Sequence, residues 1–452
     1  MLKISTAQLI GMAIPAIALM VFFSSFDKIE ERPDSGGYTT FANDIVSGKL
    51  FEKTDIDDVR FNRAIRTPGY PFIIVLATGG DTDNINNMLI AHGVIGLLSL
   101  IFLSMTLRQY CPPVITGSVV ALSQFFMRDY FSAVMTEFTV FNLLLVIFGL
   151  IVICIRTPSF AALFFLGLVA SLAVLVRPAV IPVMALMPLM FLFYRGFNIG
   201  EGCLLAVSTL PVLIWMSFNL HTIDAFTLTQ IRGLQLLGVG TQVGYAEEKP
   251  DDPEALKTFI RMMNERKGPK MGEEDAYINS LDGTTTVDYR FNFYNNSLWI
   301  PLEIRLKLGV PVSPISLDRN FYEPYGRRAI TANFGNYLKY AIYGMTVFFS
   351  FGFPYAILLF LVVPFWGIFR RKNLVLSYAA LVMFAIHFGV GVLVSGIEAV
   401  YDRYIIATFY PYIVAILTCL FGLLYAEGLH QRILSRLPER VSIIVDRVFQ
   451  LE

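Results

Sequence analysis

Five charged residues of this 452-residue chain stand where their types and spacing could do chemistry. Asp34 opens the stretch Asp34-Ser35-Gly36-Gly37-Tyr38, shortly after a long apolar run and just before residues with helical apolar spacing. A carboxylate there either caps that helix or is left to take a proton. Arg66 leads Arg66-Thr67-Pro68-Gly69-Tyr70-Pro71, a rigid turn. Its guanidinium can anchor at a membrane interface or bind phosphate oxygens through paired donors. Glu137 stands at or just inside the end of another apolar run, where a carboxylate is costly and is usually paired or functional. Arg177 before Pro178 and Arg403 before Tyr404 face the same choice as Arg66 between anchor and anion ligand.

Other polar features read more plainly. Asp55-Ile56-Asp57-Asp58 has the Asp-x-Asp spacing of metal-dependent nucleotide-sugar enzymes, but its charged setting reads as a solvated surface loop. Asp44 reads as facing water from the helix that follows Asp34, with a secondary acid role as the alternative. His387, in the middle of an apolar run, reads as packing against a neighbouring helix rather than lining a cavity.

These residues need a frame, and the composition says which kind. Hydrophobic residues make up 55% of the chain and charged residues 15%, with a mean hydropathy of +0.61. Soluble domains carry about 25% charge. Apolar runs near the ~20 residues that span a bilayer recur along the chain, so the expectation is an all-α polytopic membrane protein. Ten spans are expected near 4–26, 86–107, 112–127, 131–155, 159–176, 179–194, 200–218, 340–369, 373–397 and 404–426. The run at 340–369 is longer than one span needs and holds Pro354 and Pro364, which predicts a kink or tilt. The short run 70–78 reads as a re-entrant or interfacial piece. The first run ends in Phe22-Phe23-Ser24-Ser25-Phe26 rather than a small-residue cleavage site, so it is expected to be a retained span and not a signal peptide.

Charge bias orients the set. With the N-terminus in the cytoplasm, Arg108, Arg156, Arg195, Arg370-Arg371-Lys372 and the Arg432, Arg436 and Arg440 tail lie inside. Asp34, Arg66, Glu137, Arg177 and Arg403 then share the outer face. Of the 70 charged side chains, 47 fall in two outer segments, 27–85 and 219–339, although acids and bases cancel overall. That balance excludes a chain-wide basic field for nucleic acid. The four cysteines lie at inner ends of spans or within the last one and show no zinc spacing. No Walker loop is present to drive a pump. The chain therefore divides into a transmembrane core at 1–218 that includes the first outer loop, a large outer loop at 219–339, C-terminal spans at 340–426 and a cytoplasmic tail at 427–452.

In the first outer loop, Tyr38, Phe41, Ala42, Ile45 and Val46 recur at helical spacing and predict an amphipathic helix along the membrane surface. In the second, the charged stretch Glu247 to Asp275 is followed by aromatic clusters at Tyr289 to Tyr294, Trp299-Ile300-Pro301 and Phe321-Tyr322-Glu323-Pro324-Tyr325. These either stack on sugar faces or form an interfacial belt.

The order Asp-Ser-Gly-Gly-Tyr, Phe-Ala-Asn-Asp-Ile-Val-Ser-Gly, Arg-Thr-Pro-Gly-Tyr-Pro resembles the first outer loop of the GT-C membrane glycosyltransferases. The branch it is most similar to holds the protein O-mannosyltransferases and the lipid A aminoarabinose transferases. Looser likenesses follow at Ser132-Ala133-Val134-Met135-Thr136-Glu137, at Val174-Leu175-Val176-Arg177-Pro178, and at Asp402-Arg403-Tyr404 with Pro411 after it. The first 180 residues carry most of the match, and the 219–339 loop matches only in position.

The resemblance implies a GT-C-like fold and transfer of a sugar from a polyprenyl-phosphate carrier to a glycan, lipid or protein acceptor at the outer face, with inversion at the anomeric carbon. Asp34 takes the place of the catalytic base. Arg66, Arg403 and Arg177 are the cations that would meet the carrier phosphate, with interfacial anchoring as the alternative for Arg177. Glu137, Tyr38, Tyr70 and Tyr404 are expected to contact substrate or to support the site. Glu137 would orient an arginine, bind a metal or touch the sugar. Membrane lipids are expected partners and nucleic acid is not. No cofactor is firmly implied, and a divalent metal is compatible with the pattern but not required. Two other classes compete: a secondary transporter, which would show inverted repeats and polar groups at mid-membrane, and an O-antigen ligase or polymerase, which would lean on loop arginines and histidines. The 219–339 loop holds only His221, and the marked residues cluster at one face.

Overall fold

Among the residues described by the computed structural model (6–53, 65–157, 159–186, 199–230, 232–266, 300–308, 317–350, 356–397, 402–428 and 431), regular structure is helical, apart from one isolated bridge between Glu30 and Ala133. In chain order, α1 is Thr6–Phe23, α2 Ser35–Val46, α3 Gly69–Thr78, α4 Asn87–Leu107, α5 Pro113–Phe126, α6 Thr136–Arg156 and α7 Phe160–Val176. Then come α8 Ile199–Ser208 and α9 Leu210–Ile223. Four further helices are α10 Arg232–Val243, α11 Glu254–Arg266, α12 Ile300–Leu308 and α13 Glu323–Ala332. The chain returns through α14 Phe334–Ser350, α15 Ala356–Phe369, α16 Leu374–Ile397 and α17 Asp402–Ala426.

The chain is an all-α membrane protein. The helices α4, α6, α16 and α17 are long and apolar enough to cross a bilayer, and α8 with α9 makes a fifth crossing if their 45° bend is taken within one span. Pro211, in the first turn of α9, has no N–H to continue the ladder across that bend. The shorter apolar helices α1, α5 and α7 fall on three more of the expected spans. The expected run 179–194 is described only as far as residue 186, and the tail arginines, Asp55-Ile56-Asp57-Asp58 and the aromatic cluster at 289–294 lie outside the described residues.

The core helix is α6. It is apolar all round, so it is buried all round, against α4, α7, α16 and α17. By contrast α4 is half outside: Ile90, Val94, Leu98, Ile101 and Met105, at helical spacing, stay exposed as a face for lipid. Polar side chains tie α4, α5 and α6 together inside the bundle. Gln124 Nε2 donates to Gly96 O at 2.9 Å and to Asn142 Oδ1 at 3.1 Å, and Ser99 Oγ donates to the same Asn142 oxygen. His387 also packs between helices, with its Nδ1 hydrogen-bonded to Thr408 Oγ1 at 2.9 Å.

Within the expected run at 340–369 the described residues form α14 up to Ser350 and α15 from Ala356, and the kink expected at Pro354 lies outside the described residues. Both run antiparallel to α16: Gly344 of α14 lies against Ser395, and Gly367 of α15 lies against Ser377. The two helices therefore pack near opposite ends of α16. The ten-residue α3 is only ~15 Å long, half a hydrocarbon core, and fits the re-entrant or interfacial reading of 70–78.

The expected amphipathic helix forms as α2, but its buried stripe differs from the expected one. Tyr38, Phe41 and Asp44 follow each other at three-residue spacing, and all three are buried, while Val46 is 53% exposed. Asp44 thus does not face water: it continues the stripe that begins with Tyr38. The helix packs on α3.

Within the 219–339 segment, α10 to α13 build a small core of their own around Leu237, Phe259, Ile260, Met263 and Tyr325. Its tightest crossing is Gly240 of α10 on Gly326 of α13, where a Cβ on Gly326 would come within 2.3 Å of the Leu236 backbone. Asp318, just before α13, accepts from the backbone N–H groups of Gly233 (2.9 Å) and Leu234 (2.7 Å) and so caps α10 from outside. Burial pushes its carboxyl up to about 6. The start of this unit meets α14 and α16, which brings it over one end of the bundle.

Candidate functional site

The segment that carries Asp34 is pinned before α2 begins. Glu30 pairs with the strand-like residues ahead of α6, its N–H donating to Ser132 O and its carbonyl accepting from Val134 N–H. Ser35 Oγ donates to Val134 O at 3.0 Å and accepts from Arg32 N–H at 2.8 Å. Ile29 N–H donates to Asn86 Oδ1 at 2.9 Å. The backbone on both sides of Asp34 is therefore fixed by hydrogen bonds to Asn86, just before α4, and to Ser132 and Val134, just before α6.

Asp34 occupies the N-cap position of α2 but makes no capping hydrogen bond. Its carboxylate turns to two arginines instead. Oδ1 accepts from Arg66 Nη2 at 2.8 Å, and Oδ2 accepts from Arg403 Nη1. Burial raises the Asp34 carboxyl, but the guanidiniums of Arg403 and Arg66 outweigh it and hold the group at about 2. Arg66 also donates from Nη1 to Tyr38 Oη at 3.1 Å and lies over the Tyr38 ring, 4.4 Å from its centroid.

Arg66 owes its place to the turn behind it. A Cβ on Gly69 would sit 2.6 Å from the Leu175 carbonyl carbon and 2.7 Å from Val176 N, so only glycine lets the start of α3 rest on the end of α7. That contact sets the Arg66 turn beside Arg177, the residue after α7. Tyr70, the next residue, is fully buried, with its ring edge-on to Tyr38 at 5.1 Å between centroids and its hydroxyl 3.3 Å from His92 Nε2. It backs the turn and Tyr38 and lines neither the charged cavity nor the apolar groove described below.

Glu137 is wholly buried in the first turn of α6 and pairs with Arg177, whose Nη1 donates to Glu137 Oε1 at 2.8 Å and to Thr136 Oγ1 at 2.7 Å. The other side of the Arg177 guanidinium rests on the Tyr404 ring, 4.7 Å from its centroid, and Arg403 approaches the same ring at 5.4 Å. Tyr404 thus stands between two cations, as Tyr38 stands beside the third. In this cluster three guanidiniums face two carboxylates, leaving one positive charge in excess.

A cavity of about 300 Å³ opens against this cluster. Arg66, Arg177, Arg403, Tyr38 and Tyr404 line it, together with Thr67, Thr229 and Gln235. Val176 is shared with a second hollow of about 680 Å³ whose walls are almost wholly apolar, among them Phe51, Phe72, Leu143, Leu172, Ile214 and Trp215. Phe72 and Ile214 are well exposed, so that groove opens to the side of the bundle, where lipid would lie. A charged cavity and an apolar groove meeting at one residue can receive an anion with a hydrocarbon tail.

Of the residues marked in the sequence, Asp34, Arg66, Arg403, Arg177, Tyr38 and Tyr404 come together at the cavity or one contact from it. Glu137 reaches it only through Arg177. Of the expected meanings of Glu137, orientation of an arginine is the one the contacts display. Among the described residues no three His, Cys, Asp or Glu side chains gather in a way that could hold a metal ion. Sequence reasoning missed Thr229 and Gln235, which belong to the second loop, and the groove walls Phe51 and Trp215. The one signal available was position: Thr229 and Gln235 directly follow the span that ends near 218. No protein-family model matches the chain and no curated protein is similar to it, so the chemistry of the site rests on its own geometry.

Proposed function

We propose that this protein is an inverting glycosyltransferase of the GT-C kind that moves a sugar from a polyprenyl-phosphate carrier to an acceptor. The observation that carries the reading is the junction at Val176: a cavity lined by three arginines, two of them holding a carboxylate, borders an apolar groove, with Val176 in the wall of both. In this reading the carrier tail lies in the groove between α3, α7 and α9, and its phosphate meets Arg66 and Arg403, whose planar donor pairs match phosphate oxygens.

The acceptor oxygen attacks the anomeric carbon as the bond from that carbon to the phosphate oxygen breaks. The electron pair leaves on the phosphate, where the guanidiniums stabilise it. The acceptor proton passes to Asp34, a contribution of ~10²–10⁴-fold for a positioned base. Arg177 is a further phosphate ligand or a support for Arg403 through Tyr404. Its buried pairing with Glu137 favours the support role. The unit formed by α10 to α13 covers the cavity, with Thr229 and Gln235 at its wall as groups that can hydrogen-bond a sugar.

The finer architecture belongs to the same proposal: ten spans, a cytoplasmic N-terminus, a site facing outward, and a bacterial inner membrane as the setting. Mass spectrometry of lipid copurified with the protein tests the reading. A polyprenyl monophosphate, with or without a sugar, is the expected ligand. Bulk phospholipid alone would count against it.

A further inference from the structure

Both oxygens of Asp34 are engaged by the same two arginines that line the cavity. In this state the carboxylate is the counterion of the cations rather than a free base. The pairing is not sealed off, since the Asp34 side chain is 28% exposed and those of Arg66 and Arg403 are 18% and 26% exposed. Nor does it satisfy Arg66 fully, because the Nε of that residue is buried without a hydrogen-bond partner among the described residues. Resting on the reading above that the cavity receives a lipid phosphate, we propose that the phosphate displaces Asp34 from Arg66 and Arg403, so that filling the donor site is the event that frees the base.

Three features of the cluster favour exchange over simple addition. First, a carboxylate and a phosphodiester present oxygens that a guanidinium fork binds in the same way, so one replaces the other without loss of paired hydrogen bonds. Second, the cluster has one positive charge in excess with Asp34 ionised. A phosphodiester brings one negative charge, and the cations then no longer need Asp34 to offset their mutual repulsion. Third, the neighbouring pair is built not to exchange: Arg177 and Glu137 are buried and also tied to Thr136, so they hold Tyr404 in place while Arg66 and Arg403 turn.

The charged groups around Asp34 limit what can follow. Arg403 comes from α17 and Arg66 from the turn before α3, and on its own segment Arg32 is paired with Glu30 at 2.8 Å. Tyr38, one turn along α2, meets Arg66 rather than Asp34. Glu137 is taken by Arg177. Once the two arginines leave, burial is the dominant influence on the Asp34 carboxyl and raises it from its resting value of about 2. An acceptor that arrives before the donor meets a carboxylate with little affinity for its proton. One that arrives after meets a base.

Farnesyl phosphate, a short polyprenyl monophosphate, added to the full-length protein in detergent tests this. Its affinity is measured by thermophoresis for the wild type and for Asp34→Asn, each first shown to be folded by its thermal midpoint. Exchange predicts that Asp34→Asn binds farnesyl phosphate about tenfold tighter or more, because the competing carboxylate is gone. Equal or weaker binding by the folded variant overturns exchange while leaving the lipid-phosphate reading in place. Binding to neither protein overturns both. Infrared difference spectra of the wild type serve if the variant does not fold. As the pH is lowered, the protonated-carboxyl band of Asp34 is expected to appear at a higher pH with farnesyl phosphate bound than without it. A band that appears at the same pH in both contradicts the proposal.

Discussion

Two arginine–carboxylate groups stand side by side at one end of this bundle, and their surroundings differ. Glu137 and Arg177 have 0% and 9% of their side chains exposed, and Thr136 and Tyr404 hold the guanidinium on two further sides. Asp34, Arg66 and Arg403 are 28%, 18% and 26% exposed, and the two arginines line a cavity. The same residue types make a fixed brace in one place and an exchangeable set in the other. Depth decides which: a buried pair that loses a partner leaves an uncompensated charge, whereas a pair at a cavity wall can trade its partner for a ligand.

The comparison can be broken first at the brace. Glu137→Gln should destabilise the protein by about 3–5 kcal/mol, as removal of one partner from a buried pair does. Denaturant or thermal unfolding in detergent measures it. A change under about 1 kcal/mol, the range of exposed pairs, would mean that the two groups do not differ as described. Gly69→Ala probes the joint between them. The added methyl meets the α7 backbone at 2.6 Å, so a loss of about 1–3 kcal/mol is expected, together with weaker lipid-phosphate binding as the Arg66 turn is pushed off Arg177. Unchanged stability and binding would show that the turn tolerates the shift and does not set Arg66.

Much of this arrangement was legible in the sequence because hydropathy and charge bias fix where a helix ends. Glu137, Arg177 and Arg403 stand at the ends of α6, α7 and α17, and Asp34 at the start of α2 shortly after α1, and each was marked by a charged residue near the edge of an apolar run. What those side chains touch was not legible. Asp34 in the cap position gave no sign that it turns away from its own helix, because its partners come from residues 66 and 403. Asp44 read as solvent-facing from its type, yet its three-residue spacing from Phe41 places it in the buried stripe. Tyr70 sits in the same motif as Arg66 but lies buried between Tyr38 and His92 rather than in the cavity wall. The contribution of Thr229 and Gln235 follows from how α10 to α13 fold over the bundle, which no local spacing records.

The central claim is that Asp34 accepts the acceptor proton in sugar transfer, and it can be met directly. The protein is purified as wild type and as Asp34→Asn, and the lipid bound to each is identified by mass spectrometry, with transfer of that sugar followed in cells. The account predicts that the variant, folded, retains a sugar-charged polyprenyl phosphate and that transfer falls by ~10²–10⁴-fold. Full transfer by Asp34→Asn, or a charged carrier that never associates with either protein, would contradict it.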